Sequence, residues 1–201
     1  MTPTVFVVDD DEALRSALVQ LLETAGLAVS SYADGQAFLE DYVNERPGCV
    51  LLDVAMPGLN GLDVQEALRG RGLHPPIVFL TGHGDIPMAV RAVQAGAVDF
   101  LEKPVTSATL LERVRRALAI DQEQRSERAL RQEIRERYRR LSVRESEVMR
   151  HVVAGSSSKE IARLLRISVR TVEAHRIHVM HKMGASNLAE LVNLAGRYDL
   201  G

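Results

Sequence analysis

Several features that define whole classes of protein are missing from this sequence or scarce in it. Cys49 is its one cysteine, so no intramolecular disulfide can form, which fits a reducing compartment. No apolar run is long enough to span a bilayer, and no basic and apolar leader opens the chain. Internal repeats and low-complexity tracts are also missing. We therefore expect a soluble, cytoplasmic, globular protein with no membrane partner.

Charge is distributed unevenly along the 201 residues, although the net charge is only -2. Residues 1–118 contain 9 Lys and Arg against 16 Asp and Glu, a net charge of -7. Residues 119–140 contain 7 against 5, a net +2, and residues 141–201 contain 9 against 6, a net +3. This distribution indicates a cation-binding domain joined to a domain that approaches polyanions, and the length also favours two domains.

Apolar runs that end in a reactive side chain recur four times in the acidic part. In chain order they lead to Asp9 with Asp10, to Asp53, to Thr81 and to Lys103. Such runs are typical of strands buried on both faces. With a shorter strand near residue 30 and helical spacing between the runs, they predict a doubly wound α/β domain with a five-stranded parallel sheet. The carboxyl ends of parallel strands share one edge, so these side chains should converge there.

Three carboxylates, a hydroxyl and an ammonium at one sheet edge indicate phosphoryl chemistry. Asp9, Asp10 and Asp53 would repel each other, and a divalent cation that prefers oxygen ligands, Mg²⁺ (or Mn²⁺), would relieve this repulsion. An ionised Asp screened in this way can act as a nucleophile toward phosphorus, while Thr81 and Lys103 would bind phosphoryl oxygens. Taken alone, Asp9 and Asp10 also fit the N-cap of a helix.

The C-terminal part is predicted to be entirely helical. Ser142, Ser157 and Asn187 each precede a Glu by three residues, which is the pattern of a helix cap. Residues 158–165 and residues 169–183 form two amphipathic segments joined by a tight link. Because the second segment turns Arg and polar side chains outward, the pair predicts a helix-turn-helix.

The sequence therefore divides into three segments. Residues 1–118 are the α/β domain, residues 119–140 are a charged helical linker, and residues 141–201 are a smaller all-α domain. In the linker, apolar residues recur at helical spacing among dense Arg and Glu. This pattern fits a solvated helical spacer or a short coiled-coil seam.

Five motifs, in the right order, resemble a known family over nearly the whole chain. Four of them are similar to the receiver domain of two-component response regulators, and the fifth is similar to the LuxR-type DNA-binding domain; they cover residues 7–11, 52–58, 80–85, 100–104 and 141–196. The resemblance is closest to the NarL/FixJ subfamily. It implies a flavodoxin-like receiver, a sensor histidine kinase as partner, binding to double-stranded promoter DNA, and regulation of transcription without turnover of an external substrate.

The resemblance also implies how phosphate is received and lost. Asp53 would accept the phosphoryl group from a phosphohistidine of the kinase. Asp10 would bind Mg²⁺ directly, Asp9 would bind it mainly through water, and the backbone carbonyl of Ala55 would be a further ligand. In this family, the residues at the positions of Ala55 and His83 tune dephosphorylation. A methyl group cannot orient a water molecule, so we expect slow self-dephosphorylation, with His83 as a partial substitute.

A switch between two conformations follows from the same resemblance. Thr81 would be drawn to the phosphate beside Lys103, and the ring of Phe100 would turn inward behind it. Phe100 also fits a plain core residue. The Lys103–Pro104 bond would be cis, which Pro tolerates. The fifth strand and the helices predicted before and after it would then form the surface of a homodimer.

The helix over residues 169–183 would lie in the major groove of DNA. By resemblance, the residues near base edges are Arg170, Glu173, Ala174, Arg176 and Ile177. Those near phosphates are Lys159, Thr171, His175 and Lys182. A net +3 is weak for DNA binding, so one domain alone should bind poorly, and dimerisation should raise the affinity by raising the effective concentration.

Three other interpretations stay open. His175, His178 and His181 recur every three residues, but no Cys or carboxylate cluster completes a zinc site with them. A haloacid-dehalogenase-type phosphatase also uses Mg²⁺ and a nucleophilic Asp at a strand end, but it needs a second Asp where this chain has Ala55. A module that binds a protein or RNA partner, with an inactive acidic site, is the third.

Overall fold

The computed structural model describes residues 2–42, 46–82, 90, 92 and 94–200. The chain divides into two units, Met1–Arg125 and Ser126–Gly201, each with its own buried core. Within the described residues, no helix combines the length and the apolar character that crossing a membrane requires.

The apolar runs of the first unit form a parallel sheet. Its strands are β1 (Thr4–Val8), β2 (Ala28–Tyr32), β3 (Gly48–Asp53), β4 (Ile77–Thr81) and β5 (Asp99–Glu102). They lie side by side in the order β2-β1-β3-β4-β5, and every neighbouring pair is parallel. All residues of β3 and β4 are buried, as expected for central strands covered on both faces. The predicted five-stranded parallel sheet is therefore confirmed.

Helices cover both faces of this sheet. They are α1 (Glu12–Thr24), α2 (Gly35–Asp41), α3 (Gly61–Gly70) and the first part of α4 (Ser107–Arg139). The helix predicted to begin at Asp85 falls largely outside the described residues, of which Val90, Ala92 and Gln94 are helical. The doubly wound arrangement places the carboxyl ends of the strands at one open edge.

Successive residues of β1 pack into different layers of the core. Phe6 belongs to the same buried cluster as Phe38 of α2, whereas Val7 belongs to the cluster that contains Leu22 of α1. All four side chains are fully buried. Burying a side chain of this size stabilises a fold by about 1.5–3 kcal/mol. Because successive side chains of β1 point to opposite faces of the sheet, this burial stabilises the packing of helices on both faces.

A buried carboxylate fixes α4 to the sheet. Asp121 is 6% exposed and accepts a hydrogen bond of 2.8 Å from the backbone N–H of Gly48, where β3 begins. Arg125 donates from Nε to both oxygens of this carboxylate at 2.9 and 2.8 Å. Arg125 also donates to the carbonyl of Arg46 at 2.7 Å. This cluster lies at the opposite end of β3 from Asp53.

The second unit consists of the last part of α4 and four further helices. These are α5 (Val143–Val153), α6 (Ser158–Leu165), α7 (Val169–Met183) and α8 (Leu188–Tyr198). Their shared core includes Ile134 from α4, which is 2% exposed, together with Val148, Ile161, Val172 and Val179. The all-helical C-terminal part is therefore confirmed.

The predicted helix caps of this unit are present, with one difference. Ser142 and Ser157 each form a reciprocal capping box with the Glu three residues later. Asn187 accepts from the N–H of Glu190 as predicted. The Glu190 carboxylate, however, accepts from the N–H and the hydroxyl of Ser186 instead of from the cap residue. The loop before α8 is thus fixed one residue further from the helix.

Candidate functional site

The open edge of the sheet brings two carboxylates and one ammonium together. Asp9 follows β1, Asp53 is the last residue of β3, and Lys103 follows β5. The Nζ atom of Lys103 lies 2.9 Å from Oδ2 of Asp9 and 2.6 Å from Oδ1 of Asp53. The Lys103–Pro104 peptide bond is cis, as predicted. Three side chains that are distant in the sequence therefore form one charged cluster.

Burial and charge shift the pKa values in this cluster. Asp9 is 1% exposed, and this burial raises its pKa, with a further increase from the charge of Asp53 and an opposing effect from Lys103. Burial lowers the pKa of Lys103, but its hydrogen bonds to Asp53 and Asp9 and their charges outweigh this effect and raise it overall. Lys103 is therefore held as a cation between two acids that share a single positive charge.

Asp11, and not the pair Asp9 and Asp10, caps the first helix. The Asp11 carboxylate accepts from the backbone N–H groups of Ala13 and Leu14. Asp9 accepts from the N–H of Asp11 at 3.0 Å, and Asp10 is exposed beside it. The interpretation of Asp9 and Asp10 as a helix cap is therefore wrong, because the third acid of the run has that role.

The turn after Asp53 is shaped by a glycine. A Cβ atom on Gly61 would contact the backbone carbonyl oxygen of Asp53 and lie 3.1 Å from Cα of Val54. Because glycine has no Cβ, the N–H of Gly61 can donate to the Val54 carbonyl at 3.0 Å, and α3 can begin directly against the end of β3. This close packing fixes the end of β3, where Asp53 is only 4% exposed.

The other predicted receiver residues that the structure describes follow Asp53 or lie on β4 and β5. The N–H of Ala55 donates to Oδ2 of Asp53 at 2.8 Å, and the methyl group of Ala55 is exposed. Thr81 ends β4, is 2% exposed, and its carbonyl accepts from the N–H of Lys103 at 2.7 Å. Phe100 is half-buried, with its ring centroid 6.1 Å from that of Phe79. His83 lies outside the described residues.

The donor set at this edge suits a hard divalent cation. Among the described residues, no group of three or more His, Cys, Asp or Glu side chains lies close enough to hold a metal ion by itself. Asp9 and Asp53 are buried, whereas Asp10 is exposed. Mg²⁺ commonly takes one or two carboxylates and keeps several waters, so few oxygen ligands from the protein are sufficient. The histidines of α7 form no such group either, and the zinc interpretation has no support.

A second candidate site is the outer surface of α7. Ser168 caps this helix, and Arg166 before it adopts a left-handed conformation with φ 55° that makes the link to α6 tight. Val172, Val179 and Met183 are buried, so the opposite side of α7 faces outward. The predicted base-contact residues on that side are exposed, namely Arg170, Glu173, Ala174 and Ile177, the last with 67% exposure.

Arg176 lies differently from the other predicted base contacts. Its guanidinium donates to the hydroxyl of Ser158 at 3.1 Å and lies 4.0 Å from the Glu173 carboxylate. The Arg176 side chain is 29% exposed. It therefore connects α6 to α7 and also stands beside the acid that is predicted to face a base.

Lys182, a predicted phosphate contact, already has acceptors within the unit. Its ammonium lies 2.6 Å from Oε2 of Glu145 and 3.3 Å from the carbonyl of Arg140. Glu145 is 4% exposed, and the hydrogen bond from Lys182, followed by that from the Ser142 backbone, lowers its pKa to about 2. This pair fixes the C-terminal half of α7 to the start of α5, which the sequence pattern did not predict.

The other predicted phosphate contacts are spread over α6 and α7. Lys159 and Thr171 are exposed, and His175 is half-buried. The hydroxyl of Thr171 is hydrogen-bonded to that of Ser168 at 2.8 Å. Thr171 lies in the first turn of α7, where the helix dipole favours an anion.

Known proteins match both units. Residues 5–115 match the family described as response regulator receiver domain. Residues 139–195 match the family described as bacterial regulatory proteins, luxR family. The two matches together extend over most of the chain.

Full-length relatives are similar over nearly the whole chain. The transcriptional regulatory protein FixJ of Azorhizobium caulinodans is 45% identical over 95% of this chain and 90% of its own length. The response regulator protein TodT of Pseudomonas putida is 42% identical over 96% of this chain and 85% of its own. The solved structure of the response regulator StyR has a TM-score of 0.90 and 40% identity, and the match covers 98% of this chain and 100% of that one.

Proposed function

The chain belongs to the NarL/FixJ-type response regulators, which join a receiver domain to a LuxR-type DNA-binding domain, and we propose that phosphorylation of Asp53 controls its binding to DNA. It is a DNA-binding response regulator of a two-component system that regulates transcription. Its receiver domain implies a histidine kinase as partner, and its LuxR-type domain implies DNA. Response regulators of this kind are transcription factors and not enzymes in the ordinary sense.

The observation that carries the proposal is the ammonium of Lys103 between Asp9 and Asp53. An oxygen of Asp53 forms a bond to phosphorus as the phosphorus–nitrogen bond of the kinase's phosphohistidine breaks. Lys103 then lies within reach of a phosphoryl oxygen, where it offsets the added negative charge. The N–H of Ala55, which is 2.8 Å from Oδ2 of Asp53, keeps the carboxylate oriented.

A divalent cation, Mg²⁺ (or Mn²⁺), fits this site. Asp9, Asp10, Asp53 and the backbone carbonyl of Ala55 would hold it, with Asp9 mainly through water. When bound, the ion neutralises charge that Lys103 alone leaves uncompensated, and it polarises a phosphoryl oxygen.

Thr81 and Phe100 form the switch that reports phosphorylation in this proposal. Thr81 ends β4 at the same edge as Asp53, and Phe100 lies on the adjacent strand with its ring against Phe79. Movement of Thr81 toward the phosphate leaves room for the Phe100 ring to turn inward. The surface formed by β5, the start of α4 and the helix predicted after Asp85 then pairs with a second copy of the chain.

DNA contacts follow from the exposed side of α7. Glu173, Ala174, Ile177 and Arg170 face base edges, with Arg176 beside Glu173, because Glu can accept from cytosine and apolar groups can contact the thymine methyl. Lys159, Thr171, His175 and Lys182 contact phosphates, and Lys182 does so while it remains paired with Glu145. We also keep the proposed boundaries of a receiver at residues 1–118, a linker at 119–140 and a DNA-binding domain at 141–201.

The phosphoryl group is lost slowly in this proposal. Ala55 presents an exposed methyl group beside Asp53, and this group cannot orient a water molecule for attack on phosphorus. His83 partly substitutes for the missing polar group. The chain thus hydrolyses its own phosphoryl group slowly and turns over no external substrate.

The phosphoacceptor is tested by labelling the full chain with a small phosphodonor in the presence of Mg²⁺. Mass spectrometry should find one added phosphoryl group on the parent chain and on Glu23→Gln, an exposed acid-to-amide control, and none on Asp53→Asn. After removal of the donor, the label should decay slowly. Equal labelling of Asp53→Asn would contradict the assignment of Asp53, and rapid decay would contradict the role of Ala55.

A further inference from the structure

The second compact unit is more basic than its helix-turn-helix segment alone. Residues 141–201 contain 9 Lys and Arg against 6 Asp and Glu, a net +3. The unit Ser126–Gly201 contains 15 against 9, a net +6. Half of this net charge therefore comes from residues 126–140, which are the last part of α4 and Arg140.

Four arginines share one face of α4. Arg128, Arg131, Arg135 and Arg139, here called the arginine face, are all exposed. At 100° per residue they fall within about 80° of each other around the helix axis, and at 1.5 Å per residue they extend over about 16 Å. The spacing therefore forms a narrow cationic stripe along the helix.

The acids of this part of α4 form no ion pair with the arginine face among the described residues. Each of the three glutamates is hydrogen-bonded or ion-paired elsewhere: Glu127 to Arg197, Glu133 to Arg137 and Glu136 to Gln132. None of the four arginines of the face forms an ion pair or a hydrogen bond through its side chain with another residue that the structure describes. Four neighbouring charges of one sign thus remain without a counter-charge from the part of the chain that the structure describes.

The arginine face is fixed to the unit that contains α7. Ile134 anchors this part of α4 in the core, and Arg137 donates to the carbonyl of Met183, the last residue of α7, at 3.0 Å. This part of α4 and α7 therefore belong to the same compact unit. A ligand bound by α7 and one bound by the arginine face are therefore held by one body.

We propose that the arginine face of α4 binds phosphates of the DNA backbone and enlarges the footprint of the helix-turn-helix. Guanidinium groups donate two hydrogen bonds in a geometry that matches a phosphate group, and they remain charged at all relevant pH values. Both properties suit the phosphodiester groups of DNA. The inference rests on the proposed DNA binding by α7. Because phosphate contacts carry no sequence information, this face contributes affinity and salt dependence, and it leaves sequence preference unchanged.

Salt dependence of DNA binding tests this proposal on the full chain. The probe is a random-sequence duplex, and affinity is measured by fluorescence anisotropy between about 50 and 200 mM salt, with the small phosphodonor present. The variant Arg131→Gln with Arg135→Gln should lower the slope of log affinity against log salt by about 0.9 for each lost phosphate contact. It should also weaken binding to every duplex by a similar factor.

The matched control is Arg69→Gln with Arg71→Gln. These residues are exposed and belong to the first unit, they lie outside the proposed dimer surface, and the charge change is identical. The control should keep the parent slope. If the Arg131 and Arg135 variant keeps the salt slope of the parent chain, the proposal is overturned. Loss of transcription in that variant with the parent slope kept would likewise overturn it, because such a result would indicate an acidic protein partner in place of DNA. If the parent binds no duplex at all, the proposed function itself fails.

Discussion

Four acidic side chains are buried among the described residues, and each of them faces a cation. They are Asp9, Asp53, Asp121 and Glu145. Lys103 serves the first two, Arg125 serves the third, and Lys182 serves the fourth. Burial of an unpaired charge costs several kcal/mol, so each cation offsets a cost that the fold would otherwise bear. The same rule thus explains the proposed phosphorylation site and two structural pairs.

Glu145 should make the second unit sensitive to acid. Its pKa is lowered from 4.5 to about 2 by Lys182 and Ser142. A lowered folded-state pKa contributes stability above pH 4.5, and this contribution is lost as the pH falls from about 4.5 to about 2. We expect Glu145→Gln to remove about 2 kcal/mol of stability near neutral pH and to flatten the dependence of stability on acid. The loss is smaller than the full pKa shift implies, because water reaches the partly exposed Lys182 and screens the pair.

Amide signals of α7 in NMR spectra, followed from pH 5 down to pH 2, measure this effect. Glu147→Gln is the control, since Glu147 lies on α5 like Glu145 but pairs with Arg144 at the surface. The control should lose its α7 signals at the same pH as the parent chain. An unchanged acid midpoint in Glu145→Gln would show that the buried pair does not govern the stability of this unit.

At the scale of single elements, α4 has two different roles along its length. Its first part packs on the sheet through residues such as Leu110 and Val114, and its last part supplies Ile134 to the second core. Between them, Asp121 connects the helix to the start of β3, the strand that ends at Asp53. One helix therefore contributes to both compact units.

Replacing Asp121 by Ala should loosen the attachment of α4 to the sheet. The N–H of Gly48 and the guanidinium of Arg125 would each lose a buried acceptor, and we expect a loss of about 2–4 kcal/mol in the stability of the first unit. Hydrogen exchange in β3 measures it. Glu123→Ala, an exposed change two residues away, is the control and should leave exchange unchanged. Unchanged protection of β3 in the Asp121 variant would contradict this role.

The elements themselves were predictable from the sequence, because apolar runs and helical spacing are local signals. The edge where Asp53 and Lys103 meet also followed, since parallel strands end on one side of a sheet. The burial of Asp121 did not follow, because its acceptor role involves Gly48, 73 residues earlier in the chain. Glu145 was predictable as a capping residue, but its pairing with Lys182, 37 residues away, requires the packed fold.

At the scale of the whole molecule, the proposed phosphoryl-accepting site and the proposed DNA-binding surface lie in different units of the chain. The first unit holds the acidic edge with Lys103, and the second unit carries a net +6 with α7 on its surface. In the proposed function, a single helix-turn-helix binds DNA weakly, and dimerisation of the receiver would raise the affinity through effective concentration without new contacts. Phosphorylation would then act on DNA binding through the number of domains that bind together.

Affinity of the full chain for DNA, with and without a small phosphodonor, tests the central claim most directly. The duplex is one that the chain itself selects from random sequences, and Mg²⁺ is present throughout. Phosphorylation should raise the affinity at least tenfold, toward the range of about 10²–10⁴ expected when two binding modules are joined. Equal affinity in both conditions, with Asp53 shown to be phosphorylated, would contradict control of DNA binding by the receiver.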